Sequence, residues 1–452
     1  MQNKSFNVIV AKKIKDYTKI INVDSDKSIS IRSFLIASIS HKISKISNVL
    51  ESDDIYSCIN CLLKLGVKIK KTTNSTYLVY GKGLGSLCAK NNTPLNFGNS
   101  GTLARLLVGI LSTTPNIKIN LNGDSSLKKR NMAKLINLMN YFGASFHPKN
   151  KFTFPLTLTS SAIPLGIEYK AGVSAQLKSA VILAGLNSYG NTIIYEDKAS
   201  RNHTENILLK NSKAIKISKD KRKKNVINIL GKSYLNPIKL SIPGDPSSAA
   251  FIVALTLLNK NSSIIIKKVG LNPRRTGFYQ LLKKNGAKIS FKNIKKINNE
   301  LIGDIYVKSS KLKPINASSK FYVSATDEYP IMFVIAALTS GVSSFEGIED
   351  LANKESNRMI EMKKIFDQIG IKSKIYKNKM KIYGKKNINV LNKKISVPHL
   401  GDHRICMSAM ILALVTGAKS NIKNFETVGT SSPSFLKIIK SLGGDFEIKK
   451  KS

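Results

Sequence analysis

A repeated helix start constrains the fold of this chain more than any other feature of its sequence. Six times, a short run of small or polar residues leads into a stretch rich in Ala, Leu and Ile, and successive runs begin roughly 70 to 83 residues apart. Such a period indicates a chain built from copies of one supersecondary unit. The six runs are Asp26-Lys27-Ser28-Ile29-Ser30, Gly98-Asn99-Ser100-Gly101-Thr102, Ser174-Ala175-Gln176-Leu177-Lys178, Gly244-Asp245-Pro246-Ser247-Ser248, Thr326-Asp327-Glu328-Tyr329-Pro330 and Gly401-Asp402-His403-Arg404.

A second motif repeats in step with the first: an apolar helix end, a glycine and an alternating strand pattern. A glycine in this place fits the left-handed residue that commonly ends a helix. The copy around residues 208 to 217 lacks the glycine. The glycines of the other copies are Gly66, Gly143, Gly286, Gly370 and Gly443.

Together the two motifs predict an α/β fold of six units, each about 75 residues long. A propeller is excluded because each unit contains two helical patterns, and a TIM barrel would need eight units. Two groups of three units fit the length of 452 residues, and Pro243-Gly244 is the expected junction between the groups.

The six helix starts are suited to binding anions. Helix N-termini present unpaired N–H groups and partial positive charge. Basic side chains accompany most of the starts. Because a cation is unfavourable near the positive end of a helix dipole, their presence there favours a binding function. Examples are Lys27 and Arg32 at the first start, Lys178 at the third and Arg404 at the sixth. The structural alternative is ordinary N-capping by Ser, Asp and Asn.

The net charge of +46 suggests a nucleic acid or membrane partner, but the types of basic residue weaken that interpretation. Of the 73 basic residues only nine are arginine. Lysine can replace an exposed arginine at little cost, but it cannot make a two-pronged contact with a carboxylate or phosphate. The arginines are therefore candidate site residues: Arg32, Arg105, Arg130, Arg201, Arg222, Arg274, Arg275, Arg358 and Arg404.

Other sequence signals argue against a disulfide-rich, metal-binding, secreted or membrane-spanning protein. Four cysteines do not make a disulfide scaffold, and the single CxxC, Cys58 to Cys61, lies in a helical pattern without a second half, so no metal is expected. The chain has no signal-peptide pattern and no apolar run long enough to span a membrane. A cytoplasmic protein is expected.

Two carboxylate motifs point to proton transfer. Asp327 opens the fifth helix, and Glu355 lies between Lys354 and Arg358 in Lys354-Glu355-Ser356-Asn357-Arg358. An acid among cations has its ionised form stabilised, although Glu355 could equally be a plain ion-pair partner. Beside bound phosphates, a base and a proton shuttle suggest transfer chemistry on an anionic substrate. The P-loop, Rossmann and GxSxG patterns are absent.

The motifs resemble those of the 5-enolpyruvylshikimate-3-phosphate (EPSP) synthase family, over nearly the whole chain and in order. Besides the helix starts, the resemblance includes Gly123-Asp124 through Lys129-Arg130, the run 200–205 (Ser-Arg-Asn-His-Thr-Glu) and the run 354–358. The first and third helix starts look like the class II branch. Two departures are Asn131 after Arg130 and the absence of lysine from Thr430-Ser431-Ser432-Pro433.

The resemblance implies an α/β fold of two inside-out barrel domains with three βαβαββ repeats each: 26–243, and 1–25 with 244–452. It implies transfer of the enolpyruvyl group of phosphoenolpyruvate to the 5-hydroxyl of shikimate 3-phosphate, with no metal or organic cofactor. The implied partners are these two small molecules, with no nucleic acid, no membrane and a monomeric state.

The resemblance also implies a role for each matching residue. Asp327 and Glu355 would be catalytic, with Lys27 assisting. The implied shikimate 3-phosphate contacts are Lys27, Ser28, Arg32, Ser174, Ala175, Gln176, Arg201, Asp327 and Lys354. The implied phosphoenolpyruvate contacts are Lys27, Gly101, Arg130, Gln176, Arg358 and Arg404.

Two other functions stay open on the sequence. The related enolpyruvyl transferase that acts on UDP-N-acetylglucosamine typically has a reactive cysteine in the loop matching 123–130, where this chain has none. A basic RNA-binding protein is a remote alternative, supported only by charge, because no RRM or KH signature is present.

Overall fold

The computed structural model describes residues 5–450 and folds them into alternating strands and helices. The strands are β1 (Phe6–Val10), β2 (Thr18–Ile21), β3 (Ile43–Ser47), β4 (Lys68–Thr73), β5 (Thr76–Tyr80), β6 (Thr93–Asn96), β7 (Lys118–Asn122), β8 (Ser145–His147), β9 (Leu156–Thr159), β10 (Glu168–Ala171), β11 (Asn191–Glu196), β12 (Ile215–Lys219), β13 (Asn225–Leu230), β14 (Lys239–Ser241), β15 (Ser263–Gly270), β16 (Lys288–Ile297), β17 (Glu300–Lys308), β18 (Asn316–Ala317), β19 (Gly341–Glu346), β20 (Ser373–Tyr376), β21 (Lys379–Gly384), β22 (Lys394–Val397), β23 (Lys419–Ile422) and β24 (Phe446–Lys450).

The helices fall between these strands. They are α1 (Lys27–Ile39), α2 (Asp53–Lys64), α3 (Gly101–Ser112), α4 (Ala133–Tyr141), α5 (Ala175–Gly185), α6 (His203–Asn211), α7 (Pro246–Leu258), α8 (Gly277–Lys284), α9 (Tyr322–Ala325), α10 (Tyr329–Ala337), α11 (Arg358–Gln368), α12 (His403–Thr416) and α13 (Phe435–Ser441). Short 3-10 segments lie at Leu127–Lys129, Ser319–Phe321, Glu349–Asn353 and Phe425–Thr430.

The strands form six four-stranded sheets that repeat one plan. Their strand orders are β14-β3-β5-β4, β6-β7-β9-β8, β10-β11-β13-β12, β2-β15-β17-β16, β18-β19-β21-β20 and β22-β23-β1-β24. In each, the first two strands are parallel and the second and third are antiparallel. This sixfold plan confirms the predicted α/β fold of six repeats.

The chain divides into two compact units. The inserted unit contains residues 25–243 and 296–300, and the split unit contains residues 5–24, 244–295 and 301–450. Each unit has its own apolar core.

Three helices are buried along almost their whole length in each core: α1, α3 and α5 in the inserted unit, and α7, α10 and α12 in the split unit. A helix that is apolar all round is stable only when it is enclosed. These six helices begin at the six predicted starts. The prediction of the repeated helix start is therefore confirmed.

Capping explains part of the similarity among the six starts. The side chains of Asp26, Ser100, Ser174, Asp245 and Asp402 each accept a hydrogen bond from a backbone N–H of the following first turn. The remaining helix, α10, has Glu328 before it and no side-chain cap. The structural alternative thus accounts for one residue at five starts, and it leaves the neighbouring basic residues unexplained.

The glycines of the second motif end helices as predicted. Gly66, Gly143, Gly286, Gly370 and Gly443 all have positive φ, between 76° and 93°. Helix α6, in the copy without a glycine, ends at Asn211 and is followed by Ser212 in extended conformation. No helix among residues 5–450 is long and apolar enough to cross a membrane.

Candidate active site

The start of α1 places three predicted residues in the inserted unit. Lys27, its first residue, forms an ion pair with Asp54 at 3.1 Å (Nζ to Oδ2). Nη1 of Arg32 donates to the hydroxyl of Ser28 at 2.6 Å, as expected for residues one turn apart. Arg32 is buried and also donates from Nε to Thr204 at 2.9 Å. The guanidinium is therefore fixed by residues on two helices.

The starts of α3 and α5 meet at Gln176. Its Nε2 donates to Oγ1 of Thr102 at 2.9 Å, and its Oε1 accepts from Nη1 of Arg105 at 2.8 Å. The same nitrogen of Arg105 donates to the carbonyl of Gly101 at 3.1 Å. Predicted residues from two helix starts are thus brought together by Arg105, which the sequence marked only as one of nine arginines.

A side chain at Gly101 would displace two guanidinium groups. A Cβ at this position would lie 2.7 Å from Nη1 of Arg105 and 2.9 Å from Nη1 of Arg130. Arg130 follows a 3-10 turn and donates from Nη2 to Oδ1 of Asn99 and, at 3.4 Å, to Ser126. The missing side chain therefore lets two guanidinium groups approach the start of α3.

The remaining predicted residues of the inserted unit lie at the start of α5 and before α6. Ser174 caps α5 through a bond from the N–H of Leu177, and Ala175 is the first helical residue. Arg201 is half-buried in the connection between β11 and α6.

In the split unit, Arg358 is the centre of a charged cluster. Its Nε and Nη2 donate to the two carboxylate oxygens of Asp402 at 2.9 and 3.3 Å, and Nη2 donates to Glu355 at 2.7 Å. Its Nη1 lies 3.9 Å from Oδ1 of Asp327. One guanidinium thus joins the region before α10, the start of α11 and the cap of α12.

The cluster keeps Arg358 charged although it is almost fully buried. Burial alone would lower the pKa of the guanidinium, but Asp402, Glu355 and Asp327 outweigh that effect and raise the pKa well above its ordinary value. The side chains of Asp327 and Glu355 are 26% and 20% exposed, whereas that of Asp402 is fully buried. Two of the three carboxylates are therefore within reach of a ligand.

Lys354 lies at the edge of this cluster. Its Nζ forms an ion pair with Asp350 at 2.7 Å, and Asp350 also accepts from the hydroxyl of Tyr322 at 2.7 Å. The side chain of Lys354 is one-quarter exposed. It is therefore held by one carboxylate while part of it faces solvent.

Arg404 is buried, and its side chain lacks the partners that Arg358 has. Its guanidinium lies 5.6 Å from the ring centre of Phe251, and its backbone N–H donates to Asp402 at 2.9 Å. Its Nε and Nη1 make no hydrogen bond within residues 5–450. A buried guanidinium with unused donors is costly, so an anionic ligand would stabilise it.

The structure thus assembles the predicted residues into two groups, one in each unit. The sequence interpretation missed Arg105 and Asp402 as members. Arg105 could have been found because it lies one helical turn after Gly101. Asp402 was seen only as a helix start, and nothing local signals that it binds an arginine 44 positions earlier. Residues 5–450 contain no cluster of three or more His, Cys, Asp or Glu side chains that could hold a metal ion.

The fold is shared with solved enolpyruvyl transferase structures. The enolpyruvyl transferase NikO from Streptomyces tendae superposes with a TM-score of 0.75, covering 99% of this chain and 100% of its own, at 13% identity. An EPSP synthase structure from Acinetobacter baumannii superposes with a TM-score of 0.83 at 30% identity, covering 98% of this chain and all of its own.

Sequence comparisons narrow the class to one family. The family model described as EPSP synthase (3-phosphoshikimate 1-carboxyvinyltransferase) matches residues 11–439. The 3-phosphoshikimate 1-carboxyvinyltransferase of Thermodesulfovibrio yellowstonii is 36% identical over 436 residues, 96% of this chain and 99% of its own. That of Zymomonas mobilis is 33% identical over 443 residues, 97% of each chain. The chain belongs to the EPSP synthase family.

Proposed function

We propose that this chain transfers the enolpyruvyl group of phosphoenolpyruvate to the 5-hydroxyl of shikimate 3-phosphate, releasing phosphate. The observation that carries the proposal is the Arg358 cluster, which holds two partly exposed carboxylates, Asp327 and Glu355, on one buried guanidinium. The reaction needs one group to accept a proton from the hydroxyl and another to exchange a proton with carbon. Membership of the EPSP synthase family supports the same reaction.

In the addition step, Glu355 gives a proton to the methylene carbon of phosphoenolpyruvate, with Lys27 assisting. Positive charge then develops at C2, the hydroxyl oxygen bonds to C2, and Asp327 takes the hydroxyl proton. In the elimination step, a proton leaves the resulting methyl group for Glu355, the double bond reforms, the C–O bond to phosphate breaks, and the leaving phosphate accepts the proton held by Asp327. Atoms balance with no added oxidant or reductant.

The anion-binding roles follow the family motifs. We propose that the phosphoenolpyruvate contacts are Lys27, Gly101, Arg130, Gln176, Arg358 and Arg404, and that the shikimate 3-phosphate contacts are Lys27, Ser28, Arg32, Ser174, Ala175, Gln176, Arg201, Asp327 and Lys354. The unused Nε and Nη1 of Arg404 support its assignment to an anion. Charge-assisted bonds of this type contribute about 1.5–3 kcal/mol each and stabilise the leaving phosphate.

We further propose that the inserted and split units correspond to the two enolpyruvyl-transferase domains, and that the protein acts in the cytoplasm as a monomer without nucleic acid. The +46 charge then belongs mainly to lysines on solvated surface. Binding of RNA with a steep salt dependence, in a preparation that does not turn over phosphoenolpyruvate, would favour the nucleic-acid alternative.

A phosphate-release assay tests the proposed reaction directly. Purified protein is supplied with phosphoenolpyruvate and either shikimate 3-phosphate or UDP-N-acetylglucosamine. We expect phosphate release only with shikimate 3-phosphate. Release only with UDP-N-acetylglucosamine would assign the chain to the other acceptor, and release with neither acceptor would contradict the proposed function.

A further inference from the structure

Three charged side chains that have no role in the proposal above are completely buried together in the inserted unit. Nζ of Lys178, in α5, lies 2.6 Å from a carboxylate oxygen of Glu196, at the end of β11, and 2.6 Å from one of Glu205, in α6. All three side chains have 0% exposure. We call this set the Lys178 cluster.

Such a cluster is an expensive way to stabilise a fold. Each buried ion loses its hydration, and apolar residues of similar volume are often as stabilising or more so. Burial alone would raise the pKa of Glu196, but the ion pair with Lys178 and hydrogen bonds from Asn225 and Ser200 lower it to about 2. Glu196 is therefore ionised at neutral pH, and the charges need a reason beyond packing.

Hydrogen bonds connect the Lys178 cluster to the residue before Arg201. Oε1 of Glu196 accepts from the backbone N–H of Ser200 at 2.9 Å and from its hydroxyl at 3.1 Å. Asn225 donates to the other oxygen at 2.7 Å. The residue immediately before Arg201 is thus fixed at two atoms by a buried carboxylate.

A second set of hydrogen bonds connects the neighbours of Lys178 and Glu205 to Arg32 and to the start of α5. Ser179, beside Lys178, accepts from Nη2 of Arg32 at 3.2 Å and from the hydroxyl of Thr204 at 2.9 Å. Thr204 adjoins Glu205 and accepts from Nε of Arg32 at 2.9 Å. Lys178 itself lies one turn after the cap residue Ser174, to whose carbonyl its N–H donates at 3.2 Å.

We propose that Lys178, through Glu196 and Glu205, is a positioning residue that fixes Arg32, Arg201 and the start of α5 relative to one another for binding shikimate 3-phosphate. The inference rests on the proposed function, because those three elements are assigned to that substrate. Its physical basis is that one buried ammonium joins α5 to the end of β11 and to α6, and Glu196 in turn holds Ser200 in the β11–α6 connection. Of the proposed phosphoenolpyruvate contacts, only Gln176 lies at the start of α5. Gly101 and Arg130 lie outside the cluster, so most contacts of that substrate should keep their positions.

A purely stabilising role would have a different kinetic signature. Loss of fold stability lowers the amount of active enzyme, and so it lowers the apparent kcat without changing either KM. Loss of positioning raises the KM for the substrate whose contacts have moved and spares the other. The ratio of the two KM values therefore separates the two roles.

The experiment compares Lys178→Met, Glu196→Gln and wild type, with Lys224→Met as the control. Lys224 pairs with Asp197, the residue after Glu196, but on the exposed surface. For both cluster variants we expect the KM for shikimate 3-phosphate to rise at least tenfold and the KM for phosphoenolpyruvate to stay within about twofold. The control should match wild type in both values.

Glu196→Gln keeps the size of the side chain and the Lys178–Glu205 pair. The comparison can therefore still be made if Lys178→Met does not fold.

Unchanged KM values in folded Glu196→Gln would overturn the positioning role, and so would an equal rise for both substrates. Failure of the proposed function is recognised separately, because wild-type protein would then release no phosphate from phosphoenolpyruvate and shikimate 3-phosphate.

Discussion

The two units each place a basic residue among several carboxylates, but they expose those carboxylates differently. In the inserted unit, Lys178 and its partners are sealed from water. In the split unit, Arg358 is buried while Asp327 and Glu355 remain about one-quarter and one-fifth exposed. A sealed carboxylate can only hold its neighbours, whereas an exposed one can exchange a proton with a ligand. Burial thus separates a positioning cluster from a candidate catalytic cluster.

The largest expected effect in this comparison is that of Glu355→Gln. The amide keeps the size of the side chain but cannot shuttle a proton, so kcat should fall by about 10²–10⁴-fold. Calorimetric binding of both substrates should stay near wild type. Deuterium exchange from solvent into the methylene group of phosphoenolpyruvate should stop. The matched control is Glu346→Gln, which breaks an exposed pair with Lys379 and should leave turnover unchanged.

Exchange that continues at the wild-type rate in Glu355→Gln would exclude Glu355 as the proton shuttle. Glu355 would then act, like the carboxylates of the Lys178 cluster, only by holding its neighbours in place.

A smaller effect is expected for Arg358→Lys. Lysine keeps the charge but cannot bind both oxygens of Asp402 while also reaching Glu355. The positions of the carboxylates relative to one another are then no longer fixed by a single side chain. We expect kcat/KM for phosphoenolpyruvate to fall at least tenfold, a loss of about 1.4 kcal/mol in transition-state stabilisation. Arg222→Lys, in an exposed turn, is the control. Wild-type kinetics in Arg358→Lys would mean that charge alone is sufficient at this position.

The smallest effect concerns stability in acid. Because the pKa of Glu196 is lowered from 4.5 to about 2 in the folded protein, its ionised form stabilises the fold above about pH 4.5, and this contribution is lost as the pH falls towards 2. The urea midpoint of Glu196→Gln should therefore lie below that of wild type at pH 7, and the gap should narrow below pH 4.5. Asp197→Asn, at the neighbouring exposed pair, should show little difference at any pH. A gap that does not change with pH would show that the charge of Glu196 does not stabilise the fold.

The sequence predicted those parts of the fold that depend on neighbouring residues. A cap at Asp26 or Ser174 and a left-handed glycine at Gly286 act within one helical turn, so their patterns are visible in the chain itself. The copy near Leu208 lacks the glycine, and α6 indeed ends differently, with Ser212 after it in extended conformation. The repeat count followed from these local signals.

Partners that are distant in the chain could not be predicted in the same way. Arg358 and Asp402 are 44 positions apart, and Lys178 pairs with residues on two later elements. Tertiary packing, which no local pattern encodes, decides which acid meets which base. The family motifs named Arg358 and Glu355 as site residues, but the pairing of Arg358 with Asp402 and the sealing of Lys178 became visible only in the structure.

The placement of β1 has a consequence for biosynthesis. This strand is hydrogen-bonded on one side to β23 and on the other to β24, so its partners lie more than 400 positions later in the chain. At translation rates of about 5–20 residues per second, the ribosome needs roughly 20 to 90 s to synthesise them after β1. Residues 25–243 can emerge and fold during that interval, while the first strand must wait for the last one. Nascent chains therefore pass through a stage in which one unit is complete and the other still has an exposed strand that a chaperone could protect.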